Sequence, residues 1–238
     1  MLFRTIPALF LAFTLLVPAK SSADPRWLIR VLPGSYPDVV YYVPTEAAMV
    51  ALTIDDGPDP ETTPQILDLL SKHSATATFF LLSDHIPGNE ELVERILAEG
   101  HELGHHMTSD EVSAKLPDVE LEAKFLQAMQ ALEHYTDLRW FRPGSGRYND
   151  KMRELAAAHG YRIALASVPP LDTVFQSPKR MSRMVDRWAE PGSVFVLHDR
   201  GDRGHRTVAT LQDLLPRLAD RGLAVRSLGE VDNSSENQ

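Results

Sequence analysis

The sequence predicts a single α/β domain built as a distorted or incomplete parallel (β/α) barrel of about seven units. Three observations lead there. The chain has 238 residues, 43% of them hydrophobic, which suits one large core. From residue 49 onward, short runs rich in β-branched and aromatic residues alternate with longer stretches of helical apolar spacing. The polar residues best able to do chemistry fall where those short runs end, and in parallel sheets ligands gather at the ends of the strands.

The elements follow in order. Residues 49–54 read as the first strand, with a turn at Asp56-Gly57-Pro58. A helix then starts near Pro64 and places Ile66, Leu67, Leu69 and Leu70 on one side. Further strands are predicted at 76–82, 101–103, 139–142, 161–166, 193–197 and 223–227. Helices are predicted at 90–98, 119–134, 151–158, 179–189 and 207–221, several closed by a glycine such as Gly100, Gly160 or Gly222. Residues 24–48, with Pro25, Pro33, Pro37 and Pro44, form an extended lead-in or edge element to a domain spanning 49–230. Residues 231–238 read as a disordered tail, frayed from Asn233 onward.

Residues 1–23 read as an export signal. Arg4 precedes an apolar stretch from Ile6 to Val17 that is too short to span a bilayer, and Ser21 and Ala23 offer small residues at a cleavage site. The expected location is periplasmic or secreted, in a bacterial envelope, with no stable membrane insertion. Without Arg4 and Lys20 the chain keeps 22 basic and 33 acidic residues, a net charge of −11, which disfavours nucleic acid as a partner. The absence of cysteine excludes disulfides, thiolate ligands and a cysteine nucleophile. No obligatory protein partner is expected.

Asp55-Asp56 follows the first strand, His105-His106 the third, Arg142 the fourth, and His198-Asp199 the sixth, while Asp172 lies in the loop after the fifth. Adjacent carboxylates on an extended chain point in different directions, so one can bind a metal while the other accepts a proton. Alone, Asp-Asp-Gly-Pro is more often a solvated turn. His106 and Asp110 are four apart, which on a helical turn puts both on one face and within reach of one cation. A histidine with a nearby aspartate is also a common surface pair. Of His101, His105 and His106, at most one or two can face a common ion. His198 is the best candidate for a proton donor, because imidazole titrates near neutral pH. Asp172 could orient it, and Arg142 could hold a carboxylate through its fork of donors.

In this order the residues resemble the polysaccharide deacetylase family, the NodB-homology domain or carbohydrate esterase family four, over about residues 49–230. Leu-Thr-Ile-Asp-Asp-Gly-Pro at 52–58 is similar to the family's first motif, which implies Asp55 as base and Asp56 as metal ligand. Gly-His-Glu-Leu-Gly-His-His at 100–106 resembles the second, whose final histidine binds metal and is followed four residues later by another histidine. Here that place holds Asp110, so the resemblance implies an Asp56, His106 and Asp110 set in a variant with aspartate for the second histidine. Arg142-Pro143 resembles the third motif, in which the arginine holds the base and the backbone N–H of Ser145 would meet the oxyanion. Ser-Val-Pro-Pro-Leu-Asp at 167–172 resembles the fourth, with Thr173 where a tryptophan is expected. Val-Leu-His-Asp at 196–199 resembles the fifth, which implies Leu197 as the apolar floor for an acetyl methyl and His198 as the acid.

The resemblance implies metal-dependent hydrolysis that releases acetate from an N-acetylated polysaccharide or oligosaccharide, of the chitooligosaccharide or peptidoglycan type. One divalent transition ion, zinc by donor chemistry, would acidify the attacking water and polarise the carbonyl. Two alternatives stand beside it: an esterase removing O-acetyl groups from a glycan, and a catalytically impaired glycan-binding protein.

Overall fold

A computed structural model describes residues 36–168 and 176–236. Residues 1–23, read above as an export signal, most of the lead-in, Asp172 with its neighbours in 169–175, and Asn237-Gln238 fall outside them.

Among the described residues there are eight strands and seven α-helices: β1 (Val39–Val40), β2 (Met49–Asp55), α1 (Thr63–Lys72), β3 (Thr78–Leu81), α2 (Glu90–Ala98), β4 (Glu102–His105), α3 (Asp118–Glu133), β5 (Trp140–Phe141), α4 (Asp150–Ala158), β6 (Arg162–Ala164), α5 (Pro178–Trp188), β7 (Val194–His198), α6 (Gly201–Asp220), β8 (Ala224–Arg226) and α7 (Leu228–Glu236). All paired strands run parallel, in the order β1-β6-β5-β4-β3-β2-β7, with β8 pairing the start of β2. The two ends of that order approach each other through isolated bridges, Val168 to Phe195 and Tyr42 to Ser193. This is the distorted barrel the alternation of runs predicted, and the lead-in supplies its edge strand.

The period of two along each strand sorts the side chains into two layers. Leu52, Ile54, Phe79, Leu81, Leu103, Phe141, Phe195 and Leu197 join the large apolar layer with helix residues such as Ile66, Leu67, Leu211 and Leu214. Ala51, Phe80, Trp140, Ala164 and Val194 form a smaller cluster with Leu228 and Val231 of α7. Continuing the second set past the strand ends carries Asp55, His106, Arg142 and His198 to one face of the sheet.

Two expectations give way. The chain after residue 227 is a helix rather than a frayed tail. Ser227 and Glu230 form a capping box at its start: the Ser227 N–H donates to Glu230 Oε2 at 3.0 Å and the Glu230 N–H to Ser227 Oγ at 3.3 Å. Val231 is fully buried, and Asp232 pairs with Arg162 at 2.7 Å. The helix expected from 207 begins six residues earlier, at Gly201. Hydrophobic periodicity does not detect that polar, glycine-containing turn. Packing extends it, since a Cβ on Gly204 would lie 2.4 Å from Thr62 Oγ1, so only glycine lets α6 lie this close to the start of α1.

Candidate active site

Asp55 ends β2 and is 4% exposed. The Arg142 guanidinium, just past β5, donates from Nη1 to Asp55 Oδ1 at 2.6 Å and to Thr53 Oγ1 at 2.7 Å. Its Nε donates to the Ala164 carbonyl at 3.0 Å, its Nη2 to the Leu165 carbonyl at 3.3 Å, and the group lies 4.0 Å from the centre of the Phe80 ring. A buried carboxylate needs such a partner, because unpaired it would cost several kcal/mol, on the order of 3–5. The arginine fixes one oxygen of Asp55 and leaves Oδ2 facing His106 Nε2 at 3.8 Å.

Asp56 should point away from Asp55 along an extended chain. It does not, because its φ of 74° is left-handed and swings the side chain back. Its Oδ1 lies 3.6 Å from His106 Nε2. The carbonyl of Asp56 accepts from His85 Nδ1 at 2.8 Å, which holds the turn. Burial would raise the pKa of Asp56, but the imidazole of His106, and the charges of His198 and Arg203, lower it to about 2.

His106 donates from Nδ1 to the Arg142 carbonyl at 2.7 Å, so its Nε2 carries the lone pair that faces the two aspartates. Burial opposes a charge on this ring, yet Asp55 and Asp56 outweigh burial and lift its pKa; a cation at Nε2 would instead require the neutral form. The two neighbouring imidazoles do not join it. His105 is fully buried between Phe125 and Phe141, donates from Nε2 to the Phe125 carbonyl at 2.9 Å and accepts from the Met107 N–H at 3.2 Å. Burial pushes its pKa down to about 4, and it is a neutral structural histidine. His101 packs on Phe79 before the start of β4 and accepts the Ala77 N–H at 3.3 Å.

His198 ends β7 in register with Asp55 and is 9% exposed. Asp199 turns away from it. Thr62 Oγ1 donates to Asp199 Oδ1 at 2.5 Å and Thr63 Oγ1 to Oδ2, so this buried carboxylate ties the loop after Asp56 to the end of β7. Burial, with the nearby charges of Asp59 and Asp56, outweighs those hydroxyls and pushes its pKa up to about 6.

Pro143 is buried and Ser145 exposed, in a turn with Ser145 at φ 58°. Gly144 is required there, since a Cβ would sit 2.2 Å from the Glu111 carbonyl oxygen.

One sequence-derived role is corrected, and another is not met in this arrangement. Leu197 lies in the apolar layer under the helices, 1% exposed, because alternation sends it to the face opposite His198. Val196, two residues before His198, shares the histidine's face instead. Asp110 is not brought to Asp56 and His106. The spacing of four presumed a helical turn, but residues 106–112 are irregular and Met107 has a φ of 69°, so the two side chains do not share a face. The Asp110 side chain is half-exposed and pairs with Arg203 Nη2 at 3.2 Å.

Among the described residues, no group of three His, Asp or Glu side chains is arranged to hold a metal ion. Two donors do fit one. His106 Nε2 and Asp56 Oδ1 converge, and Asp56 Oδ2 is buried without an aligned hydrogen bond, although Arg203 Nη1 is 3.3 Å away. An imidazole and a carboxylate suit zinc or a similar transition ion. Thr53, His85 and Arg203 carry no motif of their own in the sequence; Asp199 stands there beside His198 at a strand end, but the sequence assigns it no role.

A family model described as polysaccharide deacetylase matches residues 42–164. A peptidoglycan-N-acetylglucosamine deacetylase of Bacillus cereus is 34% identical over 196 residues, which span 81% of this chain and 92% of that protein. A chitooligosaccharide deacetylase of Sinorhizobium fredii is 34% identical over 198 residues, spanning 77% of this chain and 92% of that protein. The crystal structure of a peptidoglycan N-acetylglucosamine deacetylase aligns with a TM-score of 0.78 at 30% identity, covering 83% of this chain and 94% of that one.

Proposed function

This chain belongs to the polysaccharide deacetylase family, and from that premise we propose that it hydrolyses the acetamide of N-acetylated glycans, of the peptidoglycan or chitooligosaccharide type, to a free amine and acetate. The observation that carries the reading is the half-satisfied base. Arg142 claims Asp55 Oδ1 at 2.6 Å and leaves Oδ2 open on the side of His106.

In this reading Asp55 Oδ2 takes a proton from the attacking water, and Arg142 keeps the carboxylate ionised and aimed. His198, in register with Asp55 on the neighbouring strand, protonates the departing amine nitrogen as the carbon–nitrogen bond breaks. The Ser145 N–H, with Pro143 shaping the turn, receives the developing oxyanion. The role of orienting His198 that the resemblance gives to Asp172 lies outside the described residues, and Val196 lines the acetyl methyl where Leu197 was expected. Asp56 and His106 would hold a divalent transition ion, zinc by donor chemistry. When bound, such an ion acidifies water and polarises the carbonyl. Residues 1–23 direct export to the periplasm or medium, where such glycans occur.

The test is acetate release from chitooligosaccharides, peptidoglycan and acetylxylan, with and without chelator. The proposal expects release from one of the first two, abolished by chelator and restored by zinc. Release from acetylxylan alone would reassign the chain as an O-acetyl esterase, and binding without release as a glycan-binding protein. Amino-terminal sequencing of the exported protein tests cleavage after Ala23.

A further inference from the structure

Arg203 stands on the first turn of α6, and its guanidinium bridges carboxylates from two different loops. Nη1 lies 3.3 Å from Asp56 Oδ2 and Nη2 lies 3.2 Å from Asp110 Oδ2. Asp56 is the carboxylate that the family's first motif gives to a metal, and Asp110 stands where its second motif has a histidine. We propose that Arg203 is an internal counter-cation that competes with the divalent ion for Asp56 and Asp110, so that loading requires its side chain to swing out and frees Asp110 to turn inward. The inference rests on the metal-dependent reading above.

Charge supports competition. With His106 in the neutral form that ligation requires, Arg142 neutralises Asp55, which leaves Asp56 and Asp110 with two negative charges against one on Arg203. A dication alone would cancel that pair, whereas a dication beside the guanidinium would leave an excess positive charge and two cations a few ångströms apart.

The geometry supports release. The Arg142 contact with Asp55 is short, aligned and buried, whereas the Arg203 contact leaves Asp56 Oδ2 without a proper hydrogen bond. The side chain of Arg203 is about one-third exposed and that of Asp110 about half, so both can reach water without unpacking the core. The segment carrying Asp110 is irregular and is not held by sheet pairing.

The contrary arrangement is that Arg203 stays on Asp56 Oδ2 and presents Oδ1 to the ion. It would then aid binding rather than oppose it, so the sign of one measurement separates the two.

That measurement is isothermal titration of zinc ion into the chelator-treated full chain at fixed salt, for the wild type, Arg203→Ala, Asp110→Ala and the double variant. Competition predicts that Arg203→Ala binds zinc about tenfold or more tighter than wild type. It also predicts that the gain shrinks at least threefold, on the order of one lost carboxylate contact, when Asp110 is absent. Arg203→Gln keeps the length of the side chain without its charge, and it decides the matter should the alanine variant fold poorly. Unchanged or weaker binding in the charge-neutral variants, with zinc still bound by wild type, overturns the inference and leaves the metal reading intact. If neither wild type nor the variants bind zinc, both fall. Binding by the Arg203 variants alone would support competition in its strongest form.

Discussion

Asp55 and Asp56 are neighbours in sequence, yet the protein holds them by opposite means. Asp55 ends a central strand and is gripped by an arginine that makes bonds to two further carbonyls and a threonine hydroxyl, all inside the barrel. Asp56 lies one residue beyond the strand, turned back by a left-handed φ, and meets a partly exposed arginine without an aligned bond. In the proposed mechanism the difference matches rigidity to role. A group that accepts a proton must be preorganised to within a fraction of an ångström, on the order of 0.5 Å, whereas a group that receives an ion from solution needs a partner it can give up.

The most damaging way to break the rigid side is Arg142→Ala. It strands a buried carboxylate and leaves the Ala164 and Leu165 carbonyls without this donor, so the expected loss is about 3–5 kcal/mol of unfolding free energy. Urea unfolding of the chelator-treated protein measures it. A loss below about 1 kcal/mol, the level of an exposed pair, would mean that Asp55 is not held as the distances indicate.

Asp55→Asn comes next. The amide keeps the shape and can still meet Arg142 through its oxygen, so the fold should survive while deacetylation falls by about 10²–10⁴-fold. Zinc content should stay near wild type, because Asp56 and His106 are the converging donors. Equal zinc loss in Asp55→Asn and Asp56→Asn would erase the division of labour between the two carboxylates.

The rigid side was also the legible side. Strand runs and their alternation located seven of the eight described strands within two residues, and the strand ends located Asp55, His106, Arg142 and His198. The misses differ in cause. Leu197 was placed by motif rather than by the alternation that puts it opposite His198. Asp110 was placed by assuming a helical turn in a segment whose backbone is irregular. Arg203 lay in a polar, glycine-containing stretch where periodicity sees no helix and where packing of Gly204 on Thr62 makes one. The last helix was missed although its capping box, Ser227 with Glu230, stands in the sequence. Local pattern reports what strands impose; it does not report what distant loops do to one another.

Asp199 sharpens the comparison from beneath, since it ties the loop after Asp56 to β7. Its folded pKa of about 6 lies above the ordinary 3.8, so between those values the folded protein binds the extra proton. Stability from this group therefore falls as pH rises from about 4 to 6, by at most about 3 kcal/mol. Asp56, lowered to about 2, acts in the opposite sense and only below 3.8, so the two windows do not overlap. Asp199→Asn should flatten the difference in unfolding free energy between pH 4 and pH 6.5 relative to wild type. An unchanged difference would show that the threonine hydroxyls hold Asp199 ionised throughout.

The smallest effect is expected on the loose side, and its smallness is the informative part. Asp110 is half-exposed and contacts Arg203 at 3.2 Å, a pairing in which solvent screening and side-chain entropy consume most of the Coulomb gain. Asp110→Ala should thus cost less than about 1 kcal/mol in metal-free protein. It removes no N-cap bond seen in the structure, since the short turn at Ser113–Lys115 is entered from Val112. Thermal melting of the chelator-treated variant, at two salt concentrations, makes the check. If Asp110 is a surface partner for Arg203, added salt should narrow the already small gap between variant and wild type, because screening weakens an exposed pair that the variant no longer has. A loss of about 2 kcal/mol or more that salt does not diminish would place Asp110 among buried, aligned groups like Asp55, and the contrast between the two sides of the site would no longer stand.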